Sequence, residues 1–324
     1  MNLTTFYSLL SLIGVLFLLL ITGYICRRVG FIDDVGSKRL SKLIISIGQP
    51  MMIVGALISK DFSWELLKAG LFYMLIGFLL HPIMAGLAWL ASPLFPTGSR
   101  RSISIFSIIF TNCGFIGLPI LNTIFPGQGA FYGAFFLIGF HVYIWTLGIY
   151  ILSQSSDNVK LTPKKAIFNY GTVPCAIGLL LYLAKAYITI PVFIADFTNY
   201  LGGLCLPVSV LIIGALIAAQ GLKPILSNWR LYVFNVIKLL IVPIAVCGIA
   251  KLATLGMADA ENARNIVLFC TMIAAMPSAT TVAMLSEIYD LDSKYAAQAV
   301  GSTSLLSVAT LPLLYFIGDL VGKL

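Results

Sequence analysis

The sequence predicts an all-α membrane protein that crosses the bilayer ten times. Hydrophobic residues make up 60% of its 324 residues, charged residues only 10%, and its mean hydropathy is +1.01. Soluble domains typically contain about 25% charged residues, so this chain has too few charges to cover a water-exposed surface. Apolar runs of roughly 20 residues recur along nearly the whole length, and each can cross a hydrocarbon core of about 30 Å as a helix.

Ten spans follow one another, with short connections that leave no room for a soluble domain between them. The first run, from Phe6 to Ile25, has no basic residue before it and has Arg27 and Arg28 after it. A signal peptide carries its basic residues in front, so we expect this run to be retained as a span. The predicted spans are residues 5–25, 41–59, 68–91, 103–124, 130–152, 166–187, 197–219, 229–253, 265–286 and 295–318.

Lysine and arginine indicate the orientation of these spans. They give a net charge of +8, but they lie in the short breaks between apolar runs rather than on one face or tail, so they do not indicate nucleic-acid binding. Because cytoplasmic loops are enriched in basic residues, we expect the odd-numbered loops in the cytoplasm and both termini outside. Those loops hold thirteen of the twenty Lys and Arg residues: Arg27, Arg28, Lys38, Arg39, Lys42, Arg100, Arg101, Lys160, Lys164, Lys165, Lys223, Arg230 and Lys294.

The order of the spans predicts an internal repeat. Two halves of five spans, residues 1–152 and 166–324, are joined by a short cytoplasmic linker at 153–165. An odd number of spans in each half makes the second half insert upside down. A shared offset supports the repeat, since in three pairs of residues the partners lie 157 or 158 positions apart: Pro50 with Pro207, Pro119 with Pro277, and His81 with Lys238.

Spans 4 and 9 are predicted to be broken helices. Span 4 reads Thr-Asn-Cys-Gly-Phe-Ile-Gly-Leu-Pro over residues 111–119, and span 9 reads Ala-Ala-Met-Pro-Ser-Ala-Thr-Thr over 274–281. Glycine and proline weaken a helix, and a break within a membrane persists where it lines a cavity or meets a ligand. The resumed half-helices would offer free N–H groups and a positive dipole end to an anion, whereas a simple proline kink is the alternative for each segment. The candidate substrate-binding residues here are Asn112, Gly114, Gly117, Pro119, Pro277, Ser278 and Thr280.

The two segments resemble the paired signatures of the auxin efflux carrier family. The resemblance rests on Asn-x-Gly-Phe-x-Gly-x-Pro at 112–119 and on Met-Pro-Ser-Ala at 276–279, running on to Glu-Ile-Tyr at 287–289. It extends over the whole chain. The family includes bacterial malate and malonate permeases and, more distantly, the plant PIN auxin exporters.

The resemblance implies a fold similar to that of the bile-acid sodium symporters. Spans 1, 2, 6 and 7 would form a scaffold that dimerises with a second copy, and spans 3–5 and 8–10 would form a mobile transport domain in which spans 4 and 9 cross. Asn112 would stand where the crossover asparagine of the family contacts substrate. The chain differs from the sodium-coupled relatives because it has no acidic residue at mid-span, so we expect transport that does not depend on sodium.

Four polar residues in other spans are further candidates. Lys238 is the only Lys or Arg deep in a span, where insertion of a charge costs about 2.5–3.5 kcal/mol. It neutralises a substrate carboxylate or replaces a coupling cation in one interpretation, and it snorkels or caps a broken helix in the other. His141 and His81 are able to shuttle protons, although a lone membrane histidine is more often a packing residue. Gln49 precedes Pro50 and could line the substrate path, with a structural kink as the alternative.

Several classes of function are disfavoured by what the spans contain. The six cysteines are scattered and form no CxxC or Cys/His pair, so we expect no disulfide, no metal site and no cofactor. An enzyme would need paired acids or a nucleophile with a base inside the spans. The sequence therefore predicts a carrier of a small carboxylate in a bacterial inner membrane, with proton-coupled uptake of a dicarboxylate such as malate as one alternative and a membrane sensor as another.

Overall fold

A computed structural model describes residues 3–156, 168–221, 223 and 227–324. Within these ranges the chain is helical, and its only β-type pairing is one isolated bridge. Residues 157–165 of the linker predicted at 153–165, with Lys160, Lys164 and Lys165, lie outside the described residues. The prediction of an all-α protein is confirmed.

The helices follow the predicted spans closely. Seven of them within the described residues are long and apolar enough to cross a membrane: α1, α2, α3, α6, α8, α9 and α12 in the numbering below. The fourth and ninth predicted spans each consist of two shorter helices. The helices are α1 (Leu3–Arg28), α2 (Asp34–Ile58), α3 (Trp64–Ala91), α4 (Ser99–Ile109), α5 (Cys113–Ile124), α6 (Gly129–Ser153), α7 (Thr172–Ala184), α8 (Val192–Gln220), α9 (Trp229–Ala253), α10 (Ala260–Ala275), α11 (Thr281–Ile288) and α12 (Ser293–Lys323).

Polar side chains cap several of these helices at their first turn. Ser63 accepts a hydrogen bond from the Leu66 N–H at the start of α3, and Asp259 accepts one from the Asn262 N–H at the start of α10. Each cap satisfies one of the N–H groups that have no partner inside the helix. These caps explain why α3 and α10 begin several residues before the apolar runs from which the spans were predicted.

Wide π-helical turns interrupt four helices in the described part of the chain. They cover Ile44–Gly48, Cys113–Gly117, Ile144–Gly148 and Ile237–Ile241. In three of the four, a proline follows two residues after the turn, at Pro50, Pro119 and Pro243. Proline has no N–H and its ring clashes with the carbonyl four residues earlier, so an inserted residue widens the helix just before it.

Glycines allow close packing within two groups of helix pairs. Helix α1 packs against α8, and a Cβ on Gly214 would lie 2.1 Å from the Leu20 carbonyl oxygen. Helix α7 packs against α2, which also contacts α8. In the other group α3 packs against α6, where a Cβ on Gly77 would lie 2.7 Å from the Phe136 carbonyl oxygen, and α12 packs against both α9 and α10.

Ion pairs lie at the two ends of the helical bundle. Lys38 pairs with Glu287 at 2.8 Å and Arg100 with Asp292 at 2.7 Å, and all four residues belong to loops or helix ends predicted to be cytoplasmic. At the other end Lys185 pairs with Asp61 at 3.0 Å, and Asp319 pairs with Arg264 and Lys323. These pairs join only residues that the sequence assigns to the same side of the membrane. Which side is cytoplasmic stays a prediction.

Candidate functional site

The two broken helices cross each other with their backbones paired. Helix α4 ends at Ile109 and α5 begins at Cys113, while α10 ends at Ala275 and α11 begins at Thr281. Between them Thr111 and Ser278 form an antiparallel bridge. The Asn112 N–H donates to the Pro277 carbonyl at 2.7 Å, and the Ala279 N–H donates to the Phe110 carbonyl at 3.0 Å. Each broken segment therefore provides hydrogen-bond partners for backbone groups of the other. This pairing allows extended backbone in the middle of an apolar bundle.

Two buried side chains at the crossing retain unused hydrogen-bonding groups. Asn112 is 3% exposed and Ser278 is fully buried. Among the described residues, the Asn112 Nδ2 and the Ser278 Oγ have no hydrogen-bond partner. A buried polar group without a partner costs about 1–3 kcal/mol, so two of them at one crossing need an explanation. A polar ligand at the crossing would give them partners.

Lys238 places a cationic group beside the same crossing. Its side chain is fully buried in the π-helical turn of α9, and its Nζ donates to the Ala274 carbonyl at 2.8 Å, in the last turn of α10. Lys238 also interacts electrostatically with the thiol of Cys113, the first residue of α5. The bond to Ala274 has the geometry of a helix C-cap, in which a cation meets the negative end of the helix dipole. An ammonium carries three donors, so this bond leaves capacity for a ligand.

The helix of span 4 is broken as predicted, but at a different place. The break covers Phe110–Asn112 and precedes both glycines and the proline. Gly114 and Gly117 lie in the π-helical turn that begins α5, and Pro119 lies just after it, at the start of the regular helix. The expectation that these three residues unwind the helix is wrong, because the wide turn accommodates the proline without opening the chain.

Gly117 lies next to the second broken segment. A Cβ there would lie 3.4 Å from Cys113 Cβ and 3.7 Å from Met276 Cγ, which are ordinary van der Waals distances, so the packing at the crossing does not require a glycine at this position. Pro277 lies inside the second break, unlike Pro119. The residues that pair across the crossing, Thr111 and Ser278, are 167 positions apart, which differs from the offset of 158 between the two prolines.

The remaining candidates form contacts of their own away from the paired segments. The Gln49 Nε2 donates to the His141 Nε2 at 3.1 Å, which joins α2 to α6. His141 is buried, and Gly171 packs directly on its ring, since a Cβ there would lie 2.0 Å from the His141 Nδ1. Thr280 is buried at the start of α11 and makes no side-chain cap bond. Within the described residues, therefore, no hydrogen bond joins Gln49 or His141 to Asn112.

His81 is a packing residue beside the first break. Its Nδ1 bonds to the Gly77 carbonyl at 2.6 Å, one turn back along α3. Its ring stacks on Phe136 and Tyr143 and touches Phe110, whose carbonyl takes part in the crossing. The imidazole thus bonds to a carbonyl of its own helix inside an aromatic enclosure. Lys238, which corresponds to His81 in the predicted repeat, instead bonds to a carbonyl of another helix, α10.

Comparison with known proteins identifies the family. A family model described as membrane transport protein matches residues 8–315, nearly the whole chain. The chain belongs to this family. It is the auxin efflux carrier family whose signatures the sequence resembles, so that prediction is confirmed.

Two curated relatives share the whole length of this transporter. An uncharacterized transporter of Methanothermobacter thermautotrophicus is 24% identical over 307 residues, which are 94% of this chain and 96% of the relative. An uncharacterized transporter of Methanocaldococcus jannaschii is 22% identical over 308 residues, which are 94% of this chain and 97% of the relative. A multi-pass membrane transporter is therefore established at the level of the family.

Several polar residues around the crossing of this membrane transport protein escaped the sequence analysis. The Thr303 Oγ1 accepts a hydrogen bond from the Ser278 N–H at 3.2 Å, and Ser302 donates to the Asn235 Oδ1 at 3.0 Å. Asn235 lies one turn before Lys238 on α9. The available signal was the run Gly-Ser-Thr-Ser at residues 301–304, which places three hydroxyl groups in succession within an apolar helix.

Proposed function

We propose that the protein is a secondary carrier that moves a small organic anion across the membrane, with the substrate held at the crossing of α4/α5 and α10/α11. One observation carries the proposal: among the described residues, Asn112 Nδ2 and Ser278 Oγ are buried without partners at the crossing, and the Lys238 ammonium is buried at the end of α10, where it bonds to the Ala274 carbonyl. Neutral donors around one cation suit a carboxylate, whose oxygens accept several hydrogen bonds. The start of α5 adds a positive dipole end.

The proposed architecture has ten spans in two inverted repeats. The packing of the two halves supports it, because α1 against α8 corresponds to α7 against α2, and α3 against α6 corresponds to α9 against α12. In this proposal α1, α2, α7 and α8 form a scaffold that dimerises with a second copy. Helices α3–α6 and α9–α12 move against it as one body by an elevator or rocking motion, in a bacterial inner membrane with both termini outside.

The experiment that tests the proposal is substrate uptake into proteoliposomes by Asn112→Ala. We expect uptake of carboxylates to fall at least tenfold while the yield and thermal stability of the purified protein stay close to those of the unmodified chain. Asn199→Ala is the matched control, since Asn199 is an exposed asparagine on α8. Equal uptake by both variants would show that the crossing is not the site.

Coupling is part of the same proposal. The polar side chains described at the crossing are neutral hydroxyl and amide groups and the amine of Lys238, and a fixed cation there would repel a bound sodium ion in a medium of low dielectric constant. We therefore propose transport independent of sodium, which replacement of sodium by choline at constant membrane potential checks. Proton coupling is the second candidate, because the bond between Gln49 and His141 joins the proposed scaffold to the proposed moving body through a titratable group.

A further inference from the structure

Lys238 is a buried basic residue next to the crossing. Its ammonium is fully buried, and no carboxylate of the described residues lies within ion-pair distance of it. It donates a hydrogen bond to a neutral carbonyl, that of Ala274. The other polar groups at the crossing, on Asn112, Ser278 and Thr303, are neutral as well. When Lys238 is protonated, the site therefore holds one formal positive charge that no acid of the described residues compensates.

An uncompensated buried charge favours a ligand that neutralises it. A charged group removed from water is stable only when it is paired and hydrogen-bonded. One carboxylate next to Lys238 completes such a pair, and the unused donor on Asn112 adds a hydrogen bond to it. A second carboxylate on the same ligand would be buried without a counter-charge of its own. The cost of removing it from water would then cancel the free energy gained by pairing the first carboxylate with Lys238.

The two histidines do not supply a second cation at the crossing. His81 bonds to the Gly77 carbonyl on its own helix and is enclosed by aromatic rings. The His141 Nε2 lies 3.1 Å from the Gln49 Nε2, which places this histidine at the contact between α2 and α6. Cys113 is the other titratable side chain that faces Lys238, and a thiolate there would only reduce the positive charge.

From this charge balance we infer that the site accepts a carboxylate of single negative charge, and that a dicarboxylate enters only as its half-protonated monoanion. The inference rests on the proposed function and specifies its substrate class. It also connects transport of a small carboxylate with proton-coupled uptake of a dicarboxylate, because a dicarboxylate carried in this form brings its own proton across the membrane. No titration of a protein group is needed for that coupling.

Matched pairs of ligands test the inference on the purified full-length protein. Each dicarboxylate is compared with its half-amide, which has nearly the same shape but one charge: malonate with malonamate, succinate with succinamate, and glutarate with glutaramate. Binding is measured by thermal shift and by competition in proteoliposomes, at pH values on both sides of the second ionisation of each dicarboxylate.

We expect the half-amides to bind with an affinity that does not change across this pH range. The affinity for the dicarboxylates should fall about tenfold for each pH unit above the second ionisation, because only the monoanion fraction is competent to bind. Dicarboxylates that bind equally well or better as dianions would overturn the inference and leave the proposed function standing. If no ligand of any pair binds, both the inference and the proposed function fail.

Variants of Lys238 separate a ligand charge effect from a folding effect. Lys238→Met should weaken binding of the preferred half-amide at least a hundredfold, and Lys238→Arg should restore part of it because the charge returns. Lys251→Met, which removes a half-buried lysine near the other end of α9, should bind like the unmodified chain. Normal binding by Lys238→Met would overturn the inference, since the lysine would then only cap α10.

Discussion

The two broken helices that meet at the crossing are stabilised in different ways. The first break, between α4 and α5, lasts three residues, and its polar backbone is satisfied by the opposite backbone through Asn112 and Phe110. The second break, between α10 and α11, lasts five residues and draws on side chains from other helices. Lys238 of α9 bonds to the Ala274 carbonyl, and Thr303 of α12 bonds to the Ser278 N–H.

The difference indicates a division of roles. The first break has little side-chain support, and its asparagine keeps an unused donor that is available to a ligand. The second break depends on side chains of α9 and α12, so a substitution in those helices alters its hydrogen bonds directly. A site that must bind and release its ligand benefits from one segment whose backbone stays paired and from another whose hydrogen bonds change with the neighbouring helices.

The helix contacts of the proposed scaffold show a similar difference between the halves and provide the prediction of largest effect. On α8, a Cβ at Gly214 would lie 2.1 Å from the Leu20 carbonyl oxygen of α1, which cannot rotate away. On α7, a Cβ at Gly178 would lie 2.7 Å from Cδ1 of Leu57, the far end of a side chain, and 3.2 Å from the backbone Cα of Val54. We expect Gly214→Ala to destabilise the protein by about 1–3 kcal/mol or more, and Gly178→Ala by a smaller amount.

Thermal unfolding of both variants in detergent measures this difference. Gly248→Ala is the control, because Gly248 has open space where the Cβ would lie. Similar losses for Gly178→Ala and Gly214→Ala would mean that the two scaffold contacts are equally tight.

Side-chain support of the second break provides the next prediction. Thr303→Val removes the acceptor of the Ser278 N–H, and a buried donor without a partner costs about 1–3 kcal/mol. Thr111→Val, in the first break, removes a buried hydroxyl that makes no hydrogen bond to the second break in the described part of the chain. We expect a smaller loss there, of less than about 1 kcal/mol.

Thr303→Ser keeps the hydroxyl and should retain most of the stability that Thr303→Val loses. Thermal shift of the three variants provides the comparison. A greater loss for Thr111→Val than for Thr303→Val would reverse the assigned roles of the two breaks.

The smallest expected effect lies at the start of α12. Asp292 accepts a hydrogen bond from the Tyr295 N–H and pairs with Arg100, whereas Gln128, before α6 in the other half, makes no side-chain cap bond. Partial burial alone would raise the pKa of Asp292, but the Tyr295 N–H and Arg100 outweigh it and lower the pKa below the usual value of 3.8. The stabilisation is therefore present above the carboxyl pKa of the unfolded chain and is lost as the pH falls through the folded-state pKa.

Asp292→Asn retains a capping group and loses the charge, so we expect it to cost less than about 1 kcal/mol at pH 7. The difference from the unmodified chain should shrink as the pH falls below about 4. Thermal unfolding at a series of pH values checks both statements, and a difference that persists at acid pH would point to the cap rather than to the ion pair.

The spans and the presence of both breaks could be predicted from the sequence because they depend on local composition. Apolar length gives the spans, and the segments at 111–119 and 274–281 mark the broken helices. The position of the first break could not be predicted, because it is set by pairing with Ser278, a residue 167 positions away. The glycines and Pro119 instead produce a π-helical turn, a response of the helix that depends on its neighbours.

The side-chain partners were predictable only in part. The cost of a lysine in the membrane singled out Lys238, but whether it would meet Ala274 or another group depends on how α9 packs against α10. Thr303 carries one hydroxyl in a long apolar helix, and such residues usually bond to their own backbone. Thr303 also makes that bond, to the Ala299 carbonyl at 2.7 Å, so its second role is visible only in the folded chain.

The most direct test of the proposed carrier is the accessibility of the crossing from both sides of the membrane. Ser278→Cys is introduced into a background whose six native cysteines are replaced by alanine or serine, and a membrane-impermeant thiol reagent is applied from either face of oriented proteoliposomes. Because Ser278 is fully buried in this structure, a reaction requires the site to open. A carrier predicts labelling from each side and protection by a bound monocarboxylate. Labelling from neither side, or labelling that the carboxylate leaves unchanged, would contradict the account.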